Sequence, residues 1–476
     1  MNRLIYIDKR PLALLFLIEY WKAFLLILLI SVFIFMISIP PPEGFTVSGW
    51  KALNIFILCV LFWITDIIPR AITGLLAIVL IPTLNILPKS LSYSLFGNEA
   101  IFFILGAFLI AAAYSSSGLD KRISIYILYK LSLNSNQLLI TLLFFAGFLS
   151  LWMPEHAVAA ILYPVVLDIK KHIPVNIGPH FIKGLLFAVI WGCSIGGVGT
   201  FLGGARNPLA ISLLNEMTGT SISFIEWMIA VIPFVIVTLM LAAIILRHYF
   251  KCNFDVTDIQ NELLEKRKWI GKVSFKEYLF ALIFLLTIFS WMFAGNWLGV
   301  TNIALISSVL LFVLKLVSWR EASEFIQWDI LLMYGGAISI GAALHKTNAL
   351  TPIVNWIFSE IYFSPIVIII SISVIAIILT EGISNAAVVI LLLPIAINLT
   401  ASQNIDPRII TLAVAVPSGL AFMMPIGNPP NALCYSSGLY TISDSARYGI
   451  VMNITSLIIF LIVVKVYWPI IGLSIP

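Results

Sequence analysis

Charge is scarce in this chain. Of 476 residues, only 10% are Asp, Glu, Lys or Arg, while 61% are hydrophobic. Soluble globular domains carry about 25% charged residues, so that class is excluded. The net charge is only +5. That excludes a nucleic-acid surface and leaves the basic residues to set membrane topology. Cysteine is rare too. Cys59, Cys193, Cys252 and Cys434 have no CxxC or metal-ligand spacing, so free, mostly buried thiols are expected. There is no HExxH and no second His near His156 to complete a zinc set. No enzyme and no cofactor beyond a coupling ion are expected. The short alternating segments of an outer-membrane barrel are missing. No cleavable signal peptide is evident, because the first apolar run, Leu12–Ile39, is too long for an h-region.

What the chain does have is long apolar runs, which make it an all-α polytopic membrane protein. Arg3, Lys9 and Arg10 precede the first run and put the N-terminus in the cytoplasm. Further spans are expected near Ala52–Ile68, Ala71–Leu87, Ala100–Ala113, Ile182–Gly197, Met228–Leu246, Tyr278–Ala294, Thr301–Leu316, Ile330–Leu344, Ile409–Met424 and Ile450–Tyr467. The polar stretch Arg247–Lys276 holds Lys266-Arg267-Lys268 and reads as a cytoplasmic amphipathic surface helix. The expectation is about eleven spans, two of them broken, in the plasma (inner) membrane with the C-terminus outside.

Two places differ from a simple span. Leu138–Leu151 and Ala157–Leu167 flank Trp152-Met153-Pro154-Glu155-His156, and Ile366–Leu379 and Ala387–Leu399 flank Thr380–Ala386. Each run has roughly 14 residues or fewer, against the roughly 20 that a crossing helix needs. Such pairs read as re-entrant hairpins. Irregular backbone at membrane depth is tolerated only where it is buried in protein or lines a cavity. Ser384-Asn385 is therefore a candidate binding turn, and the helix N-terminus behind it favours anions.

The halves repeat. Pro154–Pro164 aligns with Ser384–Pro394, and each hairpin precedes a span broken by Gly and Pro and ending in Asn: Gly203-Gly204-Ala205-Arg206-Asn207 and Gly427-Asn428-Pro429-Pro430-Asn431. One hairpin is expected to enter from inside and the other from outside. Inverted repeats with interrupted helices at matching places point to a secondary transporter with a midplane site. Pro429 and Pro430 unwind the helix and free carbonyls. Those carbonyls and Asn oxygens suit Na⁺, while helix N-termini and the amides of Asn385 and Asn431 suit an anion.

These motifs resemble the divalent anion/sodium symporter family, which carries sulfate, dicarboxylates, citrate and related anions. Phe62–Pro69 is similar to its W-x-T-E-x-I-P signature, with Asp66 in place of Glu. Ser384-Asn385-Ala386 is similar to its Ser-Asn-Thr turn, and Asn428-Pro429-Pro430-Asn431 to its Thr-Pro-Pro-Asn break. The resemblance implies a homodimer in lipid that works as an elevator. Residues 1–131 and 228–360 would form the scaffold, 132–227 and 361–442 the mobile transport domain, and 443–476 the last helix. It implies substrate contacts from Ser384, Asn385, Ala386, Pro425 and Asn431 in the second half and from Glu155, His156 and Asn207 in the first. It implies Na⁺ or H⁺ as coupling ion, with a second site at Asn385, Gly427, Asn428 and Asn431 and a first at Gly199 and Asn207. The first half departs from the pattern: Pro154-Glu155-His156 and Gly204-Ala205-Arg206-Asn207 replace the family's polar residues. Arg206, paired with Glu155, is expected to stand in for the first cation. The expected function is secondary active transport of a small di- or polyvalent anion of the dicarboxylate, citrate, sulfate or phosphate class. The alternative is a sodium-independent exchanger or uniporter on the same fold.

Overall fold

The computed structural model describes residues 12–174, 178–353, 355, 364–401, 403, 405–425 and 427–475. Arg3, Lys9, Arg10 and the expected domain boundary at residue 360 lie outside them. The described chain is helical. The first half holds α1 (Leu12–Ser38), α2 (Val47–Thr65), α3 (Arg70–Thr83), α4 (Lys89–Ser94), α5 (Glu99–Ser117), α6 (Leu119–Leu131), α7 (Ser135–Trp152), α8 (Glu155–Lys170), α9 (Gly178–Gly197), α10 (Arg206–Thr218) and α11 (Phe224–Phe250). The second holds α12 (Thr257–Ile270), α13 (Phe275–Phe293), α14 (Gly295–Leu298), α15 (Val300–Val313), α16 (Trp319–Phe325), α17 (Trp328–Lys346), α18 (Pro365–Gly382), α19 (Asn385–Ala401), α20 (Pro407–Ala415), α21 (Pro429–Tyr435) and α22 (Ile442–Ile462).

Local sequence sets the ends. Ser223 with Glu226, Ser274 with Glu277, Ser318 with Glu321 and Thr441 with Asp444 form capping boxes at the starts of α11, α13, α16 and α22. Each satisfies two backbone groups that the first turn leaves open. Matching helices in the two halves have matching shapes. α3 and α15 each have 14 residues, and each is followed by a left-handed residue, Asn85 at φ 58° and Lys315 at φ 55°. The N–H of Ile86 then donates to Ile81 O at 3.0 Å, and that of Leu316 to Leu311 O at 2.9 Å. α7 and α18 each have 18 residues and end in an extended residue, Met153 or Ile383. Counterparts in these pairs lie 230 positions apart, as Glu155 and Asn385 do.

The span count is lower than expected. Among the described residues, nine helices are long and apolar enough to cross a membrane, or ten if α16 and α17, bent by 58°, count as one. α7 and α18, the first arms of the two expected hairpins, are each 18 residues long and count among the nine, contrary to the expectation that they are too short to cross, while three expected spans fall short. α3 and α15 are cut short by their left-handed ends. The expected span Ile409–Met424 also stops early: α20 ends at Ala415, and the chain unwinds from Pro417 rather than Pro425. Pro417 brings no N–H to the helix ladder, and the N–H groups that follow have another partner, described below. α22 starts earlier than expected because Thr441 caps it.

α9 lies at the centre and is buried along nearly its whole length. α3 and α17 cross at Gly74 and Gly336, whose backbones leave no room for a side chain at either. α1, α13 and α15 turn apolar side chains such as Phe35, Leu285 and Val309 outward. α12 is the expected surface helix. It buries Ile259 and Leu263 and lies against α6, with the Arg267 guanidinium 5.4 Å from the rings of Tyr126 and Tyr129. Lys266 reaches Asp168, at the end of α8, and Glu262, each at 2.7 Å. Burial pulls the Lys266 pKa down, and its hydrogen bonds to Asp168 and Glu262 more than offset this, so it ends up raised. Cys59, Cys193 and Cys434 are buried, Cys252 is half-buried, and all are free.

Candidate functional site

Two units of the same design meet at the middle of the chain. In the first, α9 breaks after Gly197, and Asn207 at the start of α10 holds the break. Its Nδ2 donates to Gly197 O at 2.9 Å and Thr200 O at 2.6 Å. In the second, Asn431 Nδ2 donates to Ala421 O at 3.0 Å and Met424 O at 2.9 Å. The acceptors lie 10 and 7 residues before the Asn in both cases. In both units the Asn Oδ1 is buried and has no hydrogen-bond partner among the described residues.

The turns sit against these breaks. Thr200 Oγ1 donates to Leu151 O, and the Glu155 N–H donates to Gly203 O at 2.9 Å. In the second unit, Thr380 Oγ1 lies 2.8 Å from Asn385 Oδ1 and 2.6 Å from Ser418 O. Asn428 accepts from the Asn431 N–H at 2.9 Å and donates to Ser194 Oγ of α9 at 2.8 Å, tying the second break to the first unit. A carboxylate braces the second break. Glu381 accepts from the N–H groups of Phe422 (2.9 Å), Met423 (3.0 Å) and Met424 (2.7 Å) and from Asn453 Nδ2 (2.7 Å).

Charge enters the first unit through one pair. Arg206 Nη1 donates to both Glu155 oxygens at 3.2 Å, and Asn385 Nδ2 of the other turn donates to Glu155 Oε1 at 3.3 Å. The Arg206 side chain is 2% exposed and that of Glu155 8%. Arg206 Nε and Nη2 have no partner among the described residues.

A cavity of about 540 Å³ lies between the two turns. Glu155, His156, Arg206, Ser384, Asn385, Ala386, Gly427 and Asn428 reach it. The His156 ring stands edge-on to Phe108, 6.1 Å away. Pro425, Asn431, Asn207 and Gly199 are not among the residues that line it. The two asparagines spend their amides on the breaks. Gly199 packs against Leu151, and Pro425 is buried. The opposite wall brings residues that no motif announced: Phe108 on α5, Met333 and Tyr334 on α17, and Arg70 and Asp329 at the mouth. The Tyr334 hydroxyl is buried and has no partner among the described residues. Arg70 pairs with Asp66 at 3.6 Å, and both are partly exposed. A second cavity, of about 640 Å³, lies beyond Phe103 and Phe201, which line both. Their rings meet edge to face at 6.1 Å.

The sodium:sulfate symporter transmembrane region, as a family model, matches residues 19–474. The chain belongs to the sodium:sulfate symporter family. Within this family it is similar to the sodium-dependent dicarboxylate transporter SdcS of Staphylococcus saprophyticus, at 28% identity over 91% of this chain and 88% of the relative. SdcS of Staphylococcus aureus (strain USA300) is 30% identical over 90% of this chain and 88% of the relative. Two solved structures share the fold. The YdaH transporter of Alcanivorax borkumensis has a TM-score of 0.57 at 15% identity, covering 81% of this chain and 89% of that one. MtrF of Neisseria gonorrhoeae, described with a class of antimetabolite efflux pumps, has a TM-score of 0.57 at 13% identity, covering 78% and 82%. The family assignment makes the chain a transporter and not an enzyme.

Proposed function

We propose that this symporter-family protein carries a small di- or polyvalent anion, of the dicarboxylate class that its SdcS relatives are named for, coupled to Na⁺. The observation that carries the reading is the cavity between two matching turn-and-break units, with the N-termini of α8 and α19 facing it. Exposed N–H groups and the helix dipole favour an anion there. Ser384, Asn385, Ala386, Glu155 and His156 form the binding surface, and Pro425, Asn431 and Asn207 hold the backbone behind it. Na⁺ belongs to the second unit, among Asn385, Gly427, Asn428 and Asn431. The orphaned Asn431 Oδ1 is a hard oxygen donor suited to it. That ion supplies a positive charge beside the substrate, and the protein's own part is to keep the turn and break in register.

The two units read as inverted repeats carried past a scaffold in an elevator cycle, in a homodimer, with the N-terminus cytoplasmic. Scaffold and transport parts follow the sequence boundaries at 131, 227, 360 and 442. The test is uptake of labelled succinate, citrate, sulfate and phosphate into proteoliposomes, with and without a Na⁺ gradient. Asn385→Ala and Asn431→Ala should each lower uptake about ten- to a hundredfold, the effect of losing one charge-assisted hydrogen bond, while the protein still folds. Unchanged uptake in both variants defeats the assignment. Trans-stimulated exchange that ignores Na⁺ supports the sodium-independent alternative instead.

A further inference from the structure

The two units are each other's control. The matched hydrogen bonds of Asn207 and Asn431 fix the register between the breaks. On that register Arg206 is the counterpart of Pro430, Gly204 of Asn428 and Gly197 of Ala421, and the turns pair Glu155 with Asn385. In the second unit the turn and break bring no positively charged side chain of their own, and their carboxylate, Glu381, is taken up by the backbone amides of the break and by Asn453. In the first, the same space holds a guanidinium and its carboxylate. Glycines make the room: a Cβ on Gly204 or Gly419 would meet the Arg206 guanidinium, and one on Gly197 would lie 2.8 Å from Glu155 Oε2. A guanidinium does not give up its proton. It fills the first pocket and repels any cation placed beside it, so the residues of the first unit do not fit Na⁺.

We infer that the Arg206–Glu155 pair is a built-in counter-ion in the first unit, so that each chain binds a single coupling cation, at the second unit. The inference rests on the reading of the second unit as a cation site. A tethered charge cannot dissociate. The first turn is therefore organised throughout the cycle, and only the second answers to the cation gradient. The Glu155–Asn385 hydrogen bond joins the two, so the permanent pair also positions the amide beside the exchangeable site.

The test is equilibrium binding of labelled Na⁺ to the purified protein, with thermal melting and anion uptake measured at varied Na⁺ and choline as replacement. The expected stoichiometry is about one Na⁺ per chain, with a Hill coefficient of about one. About two Na⁺ per chain, or a coefficient near two, overturns the inference and leaves the anion-transport reading standing. Anion uptake with no Na⁺ bound at all overturns the reading of the second unit, and the inference with it. The double variant Glu155→Asn with Arg206→Pro removes the built-in charges and gives the first unit the second unit's residues at these two positions. Arg206 opens α10, a position where proline is tolerated, so the variant should fold. Its stoichiometry should rise to about two, and a folded double variant that still binds one Na⁺ counts against the proposal.

Discussion

Glu155 answers to two partners at once. It neutralises Arg206 and accepts from Asn385, and the first of these roles does not survive loss of its charge. Removing one partner of a buried ion pair leaves the other uncompensated, at about 3–5 kcal/mol. Glu155→Gln should therefore lower the melting temperature of the purified protein markedly, and adding Arg206→Pro should restore most of it. A single variant as stable as the parent would show that Arg206 has another partner. This pair was legible in the sequence because ionisable residues at membrane depth are expensive and are normally paired. Glu381 was equally visible as a charge, yet its role was not. The amides it binds lie 41 to 43 residues further along, and no periodicity links a carboxylate to backbone groups at that distance. Tyr334 and Arg70 were hidden for a different reason. They line the cavity from helices with no repeat of the turn motif, where a Tyr or Arg reads as packing or as a surface ion pair.

Each break is an element built from an unwound strand of backbone and one side chain that takes up its polar groups. Asn207 and Asn431 hold carbonyls, and Glu381 holds amides. Hydrogen bonds to a charged acceptor contribute about 1.5–3 kcal/mol each, so Glu381→Gln should lower stability by at least about 2 kcal/mol. It should also weaken uptake while leaving the first unit intact, which thermal melting and transport assays can separate. A variant of unchanged stability removes Glu381 from this role. The sequence located both breaks and both polar turns because Gly, Pro and Asn interrupt apolar runs there, and it read the first arm of each turn as shorter than it is. It misplaced the start of the second break, because Pro417 and Gly419 sit inside an apolar run that otherwise reads as helix. α12 was legible as a surface helix from its charge. Its ties to the end of α8 through Lys266 and Asp168 were not, because they join elements 98 residues apart.

At the scale of the whole molecule, the chain encloses two cavities of about 540 and 640 Å³ with Phe103 and Phe201 in their common wall. On the proposed topology they open to opposite faces of the membrane. With water and ions in both, the two bulk potentials would reach close to that wall, and most of the membrane voltage would fall across it. In the proposed elevator cycle the bound charge is carried with its site through that field. Each elementary charge so moved is worth about 2.3 kcal/mol per 100 mV. The Arg206–Glu155 pair is neutral as a unit and adds nothing to that work. A dianion accompanied by a single Na⁺ carries a net negative charge inward, so an interior-negative voltage should slow uptake, and an interior-positive one should speed it. Potassium diffusion potentials imposed on proteoliposomes would read this directly, and uptake accelerated by a negative interior would mean that more cations travel with the anion. On this reading the narrow aromatic wall would make turnover depend on voltage as well as on concentration.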